Sequence, residues 1–258
     1  MNQGIVNQSL LAVRREPFES SEMTNQLLFG EVFTVIERYS GWLKILSNND
    51  QYEGWIDTKL VEIIGDNSQH QVKNEGIANR SFTAFKTGSN FPIRLCPGSA
   101  VYNYSKGSFT IGSTRYISND ISIAKIKDEV GNEIVSLAEQ YINSPYLWGG
   151  RSPYGIDCSG LVQVVFKIAG ILLPRDSSQQ VKIGETIDFI NMIQAGDLAF
   201  FDNNEGIITH VGILTGTGKI IHSSGYVRMD NLDHQGIFNS ETQCYSHKLR
   251  VIKRIIQD

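Results

Sequence analysis

Tyr146-Leu-Trp148-Gly149-Gly150-Arg151-Ser-Pro-Tyr-Gly-Ile-Asp157-Cys158-Ser159-Gly160-Leu161 is the stretch on which the reading of this chain turns. Asp157 is a favoured N-cap type, and an apolar run with helical character follows it to Ala169, where Gly170 stops it. Cys158 therefore opens a predicted helix. The macrodipole at that end favours an anion, which predicts a lowered thiol pKa and a ready thiolate. Such a nucleophile needs a base. His210, in Ile-Thr-His210-Val-Gly-Ile, and His222, in Ile-Ile-His222-Ser-Ser, lie downstream in strand-like sequence. These are the parts of a cysteine hydrolase.

Around that stretch the pattern is α+β. Ile134 to Ile142 has apolar residues at helical spacing, and Pro145 is expected to end that helix. After the cysteine helix, residues 194–201, 210–214, 219–222 and 248–256 read as antiparallel strands. Helices followed by a meander predict helices packed on an antiparallel sheet over residues 128–258.

The N-terminal half has a different style. Ser9–Val13, Gln26–Glu31, Val32–Ile36, Gly41–Ile45 and Tyr52–Ile56 are short apolar runs separated by polar turns. Their spacing and the lack of helical periodicity predict a small all-β barrel over residues 1–65. Residues 66–75 read as a polar linker, and residues 76–124 as a second, degenerate barrel.

Composition narrows the function classes. The chain has 258 residues and a net charge of -4, so there is no electrostatic case for nucleic-acid binding. No apolar run reaches the roughly 18 residues of a membrane span. Three scattered cysteines, Cys96, Cys158 and Cys244, do not suggest a disulfide framework and suit a reducing compartment. The start, Met1-Asn-Gln-Gly-Ile-Val, lacks the regions of a secretory signal. A cytoplasmic location is expected; the alternative is a secreted wall hydrolase whose leader has been removed. Zinc sites place Cys or His in short pairs, and no such pair occurs, so neither metal nor cofactor is expected. Of the other histidines, His70, His234 and His247 lack motif context and read as surface groups. Arg151 also reads as a surface residue.

The ordered blocks Tyr146-x-Trp-Gly-Gly, Asp157-Cys-Ser-Gly-Leu161, Leu173-Pro-Arg-Asp176-Ser-Ser, Ala195-Gly-Asp-Leu198, His210-Val-Gly-Ile213 and Ile221-His-Ser-Ser224 resemble the NlpC/P60 family of papain-like cysteine peptidases. Phe29-Gly-Glu31, Gly41-Trp42 and Tyr52-Glu-Gly-Trp55-Ile56 resemble a bacterial SH3-type (SH3b) domain. The first resemblance implies Cys158 as nucleophile, His210 as general base and His222 as the third, orienting member. It implies that Tyr146 helps the Cys158 backbone N–H to hold the oxyanion, and that Trp148 walls the cleft. It places Asp157 and Ser159 along the subsites for an L-Ala-D-Glu unit.

The SH3b barrel ahead of this domain resembles the arrangement of γ-D-glutamyl-L-diamino acid endopeptidases. Those enzymes cut after L-Ala-γ-D-Glu in murein stem peptides that carry a free N-terminal L-Ala. The resemblance implies that Asp176, Ser177, Glu22 and Tyr52 recognise the free amine. The expectation is a peptidase of cell-wall peptide recycling acting on a diaminopimelate- or Lys-containing peptide, with no nucleic-acid, membrane or obligate protein partner. A non-catalytic wall-binding module is the rival from another class. It predicts a decayed triad, whereas Cys158, His210 and His222 are all present.

Overall fold

Short apolar runs closed by turns build the first part of the chain, as alternation with a period of two dictates. The computed structural model describes residues 2–64, 76–125 and 129–256. The linker expected at 66–75 and His70 lie outside the described residues. The chain divides into two compact units, Met1–Lys125 and Ile126–Asp258.

In the first unit, seven strands form one antiparallel sheet: β1 (Gln3–Val6), β2 (Leu10–Arg14), β3 (Met23–Leu28), β4 (Val32–Tyr39), β5 (Trp42–Ser47), β6 (Glu53–Asp57) and β7 (Val61–Ile64). Their order is β3-β2-β6-β5-β4-β1-β7. The inward positions, among them Leu11, Val13, Phe33, Leu43, Ile45 and Ile56, meet in one core.

Six more strands follow: β8 (Gly76–Ile77), β9 (Phe82–Lys86), β10 (Pro92–Leu95), β11 (Ala100–Ser105), β12 (Ser108–Ile111) and β13 (Thr114–Ile117). They make a second antiparallel sheet, ordered β10-β9-β13-β12-β11-β8. Its core is not self-contained. Ile5, Phe29, Val32 and Ile64 of the first sheet pack with Phe82, Phe109 and Tyr116 of the second. The Phe29 ring sits edge-on to Tyr116 at 5.3 Å, and the Tyr102 hydroxyl donates to the Gly30 carbonyl at 2.9 Å. Fully burying Phe29 contributes about 1.5–3 kcal/mol. The second sheet is thus a buttress sharing a core with the first, where the sequence pattern predicts a separate barrel.

The second unit holds α1 (Val130–Glu139), a short hairpin of β14 (Arg151–Ser152) and β15 (Gly155–Ile156), α2 (Cys158–Ile168) and α3 (Ser177–Gln180). Seven strands then form the remaining sheet: β16 (Glu185–Thr186), β17 (Ala195–Asp202), β18 (Ile208–Thr215), β19 (Lys219–Ser224), β20 (Tyr226–Leu232), β21 (Gly236–Asn239) and β22 (Cys244–Arg254). The order is β16-β22-β17-β18-β19-β20-β21, and β22 also pairs with β21. The expected open meander is therefore closed on itself. Two strands the sequence pattern does not predict, β20 and β21, complete the circuit. α1 and α2 lie against β17, β18 and β19. α1 starts and ends earlier than its apolar pattern predicts, because Glu139 is followed by turns well before Pro145.

Candidate active site

Asp157 builds the start of α2. Its Oδ1 accepts from the Gly160 N–H at 2.7 Å, the N-cap bond that satisfies an otherwise orphaned helix donor. Its Oδ2 accepts from the Gly149 N–H at 2.8 Å, which ties the Tyr146–Gly150 loop to the helix. Close approach explains Gly160, where a Cβ would lie 2.3 Å from the Gly150 carbonyl oxygen. Arg175 completes the arrangement. Its Nη1 donates to Asp157 Oδ1 at 3.0 Å and to Ser159 Oγ at 2.8 Å, and its Nη2 donates to Asp157 Oδ2. Asp157 is 4% exposed and Arg175 2%, so this is a fully buried ion pair.

That geometry gives Asp157 and Ser159 structural roles. Asp157 spends both oxygens on two backbone N–H groups and a guanidinium, leaving no acceptor for a ligand. The Ser159 hydroxyl accepts from Arg175 and faces Asp157 Oδ1 at 3.4 Å, so it too is engaged inside the protein. Both residues shape the helix start.

Cys158 is the first residue of α2 and only 8% exposed. Backbone N–H groups of Val211 and Ser159 donate to its sulfur, so the thiol lies against the strand that carries His210. Burial, then the negative charge of Asp157, pushes the thiol pKa up to about 11; the two N–H donors and Arg175 oppose this only in part. The lowered pKa predicted from the macrodipole is therefore overturned. The dipole's positive end is already answered by the Asp157 carboxylate, and the sulfur is out of water.

The β18–β19 hairpin assembles the histidines. Register pairs Gly212 with His222, and His210 lies two residues before Gly212 on the same face. A side chain at 212 would crowd this meeting, since its Cβ would be 2.9 Å from the His222 Cβ. His210 Nε2 and His222 Nδ1 are 2.9 Å apart. The Ser223 hydroxyl donates to the Ile156 carbonyl at 2.8 Å, which pins β19 to the segment leading into Cys158. Burial first, and then the charges of His247 and His222, hold the His210 pKa well below the usual imidazole value. Around neutral pH the resting pair is thus a neutral thiol and a neutral imidazole.

Residues without a motif signal extend the constellation. Asp230 Oδ2 lies 3.0 Å from His222 Nε2, and Arg228 grips the same carboxylate. His247, expected at the surface, is instead half-buried and stacks on the His210 ring at 4.1 Å and 22°. Burial and the charge of His222 lower its pKa to about 4. It also lines a cavity of about 680 Å³ with Asp202, Thr209, Tyr245 and Lys248. Arg151 is buried as well, against expectation, whereas His234 is exposed. Cys96 is buried, with a pKa raised by that burial to about 12, and Cys244 is exposed.

His210, His222 and His247 each bring a ring nitrogen within 4.8 Å of the others. Two of those nitrogens are already committed to each other at 2.9 Å. The stacked rings of His210 and His247 lie in nearly parallel planes 4.1 Å apart, centroid to centroid. The arrangement suits a hydrogen-bond relay better than a metal.

Tyr146 is 38% exposed, and its phenol feels the Cys158 charge. Burial first, then Cys158 and Asp157, pushes its pKa up to about 12, so it stays a proton donor. Trp148 is 60% exposed and presents its indole to solvent. Asp176 caps α3 and Ser177 begins it. The Gln180 amide ties that helix to α2 by donating to the Ser159 carbonyl at 3.1 Å. Glu22 and Tyr52 belong to the first unit. Glu22 pairs with Arg15 at 2.9 Å; Arg15 and Tyr52 line one pocket there, and the Tyr52 hydroxyl lies 3.5 Å from the Thr24 carbonyl oxygen.

Comparison with known proteins supplies the context. A family model described as NlpC/P60 family matches residues 143–245, and one described as bacterial dipeptidyl-peptidase Sh3 domain matches residues 13–60. The γ-D-glutamyl-L-lysine dipeptidyl-peptidase of Bacillus subtilis is 31% identical over 214 residues, covering 77% of this chain and 71% of that protein. Dipeptidyl-peptidase 6 of Lysinibacillus sphaericus is 28% identical over 247 residues, covering 85% and 88%. The crystal structure of an NlpC/P60 family protein from Bacillus cereus aligns with a TM-score of 0.82 at 19% identity, over 99% of this chain and 100% of that one.

Proposed function

The chain belongs to the NlpC/P60 family of cysteine peptidases, and from that footing we propose that it hydrolyses the γ-D-glutamyl–L-diamino acid bond of murein stem peptides, releasing L-Ala-γ-D-Glu. The observation that supports the reading is a helix-start cysteine whose thiol lies against the strand carrying His210 of the His210–His222 pair. The two dipeptidyl-peptidase relatives, matched over more than three quarters of this chain, support the choice of bond.

The chemistry follows from the resting protonation. Because thiol and imidazole are both neutral, His210 removes the Cys158 proton as sulfur attacks the γ-carbonyl carbon of D-Glu. The carbonyl oxygen becomes an oxyanion. The Cys158 N–H, which has no partner within its own helix, and the Tyr146 hydroxyl are the donors proposed for it. The His210 imidazolium then gives its proton to the leaving amine of the diamino acid, and the C–N bond breaks. A thioester remains. Water, deprotonated by His210, attacks it and releases the new carboxylate, and the thiol regains its proton.

Trp148, exposed beside this site, packs on the peptide. Asp176 and Ser177 supply acceptors for the substrate's α-ammonium, a charge that needs partners once it leaves water. Glu22 and Tyr52 are further candidates for the same amine, by the chemistry of their side chains. Detached stem peptides, such as those generated in wall recycling, carry that amine. A reducing compartment accords with the three free thiols.

The test compares L-Ala-γ-D-Glu-L-Lys and L-Ala-γ-D-Glu-meso-diaminopimelate with their N-acetylated forms. Cleavage of at least one free peptide, with little or none of its acetylated form, is expected. Equal turnover of free and acetylated peptides would remove the amine requirement. Clearing of intact sacculi instead would assign the enzyme to the wall itself.

A further inference from the structure

The hydrogen-bond order of the histidines can be read from its far end. His222 pairs in register with Arg228, and Ile220 pairs with Asp230, so Asp230 sits diagonally beside His222 on the next strand. The same diagonal relates His210 to His222 one strand earlier. The result is one line across three strands: His210 Nε2 to His222 Nδ1 at 2.9 Å, then His222 Nε2 to Asp230 Oδ2 at 3.0 Å.

A carboxylate can only accept hydrogen bonds. Burial alone would raise the Asp230 pKa. The bonds and charges of His222 and Arg228 outweigh it and hold the group below the ordinary carboxylate range. A His222 that carries a single ring proton must then hold it on Nε2, which leaves Nδ1 bare. Facing that bare nitrogen, His210 Nε2 has to be the donor. The free lone pair of His210 is then on Nδ1.

We propose that Asp230 is a positioning residue of the active site, which acts through His222 to hold His210 as the Nε2–H tautomer and leaves Nδ1 as the base for Cys158. This rests on the reading of His210 as general base given above. Arg228 is the clamp on this device. Its Nη2 donates to Asp230 Oδ1 at 3.1 Å and its Nε lies 2.8 Å from Oδ2. Its other contacts go to Glu241 at 3.0 Å and Asn239 at 3.2 Å, so the carboxylate cannot turn away from His222. When His210 takes the thiol proton, the Nε2–H bond to His222 persists, and no proton has to pass to Asp230. The line orients the base and stabilises the imidazolium, as the buried aspartate does in a Ser-His-Asp triad.

Nitrogen-15 NMR of the histidine rings tests this without any substrate. At neutral pH both His210 and His222 are expected as Nε2–H tautomers. His222 or His210 in the Nδ1–H form, or His222 doubly protonated, would overturn the proposal in the wild-type protein itself. Asp230→Asn keeps the shape but turns one acceptor into a donor. It is expected to populate the Nδ1–H forms and to lower kcat roughly 10²–10⁴-fold with KM changed by less than about threefold. A fall in kcat with unchanged tautomers would reduce Asp230 to a structural residue and also overturn the proposal. His210→Ala separates the two readings, since activity surviving in that variant defeats the assignment of the base and leaves the wild-type tautomer result standing.

Discussion

Two aspartate–arginine pairs flank the proposed chemistry, and they do different things. On the cysteine side, Asp157 and Arg175 spend their hydrogen bonds on backbone N–H groups and a serine, and so build the helix start. On the histidine side, Asp230 and Arg228 turn one carboxylate oxygen toward an imidazole. The first pair places the nucleophile and, through the charge of Asp157, makes its thiol harder to ionise. The second orders the protons of the base. Identical residue types thus serve architecture in one place and proton order in the other, and the difference lies in what fills the remaining acceptor positions.

The sharpest way to break the comparison is Asp157→Ala. It leaves Arg175 charged and buried without its partner and orphans two backbone donors, so a loss of about 3–5 kcal/mol is expected. Denaturant unfolding of the second unit's signal measures it, and a loss below about 1 kcal/mol would refute the architectural role. The milder Asp157→Asn, in whatever fraction folds, should lower the Cys158 pKa, because a repelling charge is gone; Asp230→Asn should leave that pKa in place. Peptide-resolved alkylation rates distinguish the two, and equal shifts in both variants would erase the division of labour.

Smaller effects are expected for two further residues. His247→Ala removes the ring stacked on His210 and should cost roughly 3–30-fold in kcat by loosening the base, whereas His247→Phe should recover most of it. Failure of the phenyl ring to rescue would mean that the imidazole nitrogens matter and not the stack. Glu22→Gln should raise KM for a free-amine peptide by roughly 3–10-fold with kcat nearly constant. An unchanged KM removes Glu22 from amine recognition.

Much of the cysteine side was legible from sequence because its parts are local. Asp157, Cys158 and Gly160 are contiguous, and N-cap chemistry and helix periodicity both act over a few residues. His210 and His222 could be named as candidates, but their meeting depends on hairpin register. Asp230 was not legible. It lies on a strand, Tyr226–Leu232, whose inward positions include this aspartate where alternation calls for an apolar residue. The alternation pattern therefore does not mark this strand, nor β21 after it. His247 carries no signal for a similar reason, since Tyr245-Ser-His247-Lys248 reads as an exposed edge while its ring turns in against His210. The macrodipole does not set the thiol pKa, because burial and the cap's own charge outweigh it. In the first unit, the alternating runs located the strands, but a core shared through Phe29 is a tertiary fact that no local pattern carries.

The protonation of the resting site is the claim on which this account turns, and the pH dependence of Cys158 alkylation tests it most directly. With the thiol pKa near 11, the thiolate is about one part in 10⁴ at pH 7. The iodoacetamide rate at Cys158, followed by mass spectrometry of its own peptide apart from those of Cys96 and Cys244, should rise about tenfold per pH unit from pH 6 to 9 without levelling. A plateau already reached between pH 5 and 7 would reveal a preformed thiolate–imidazolium pair and contradict the account.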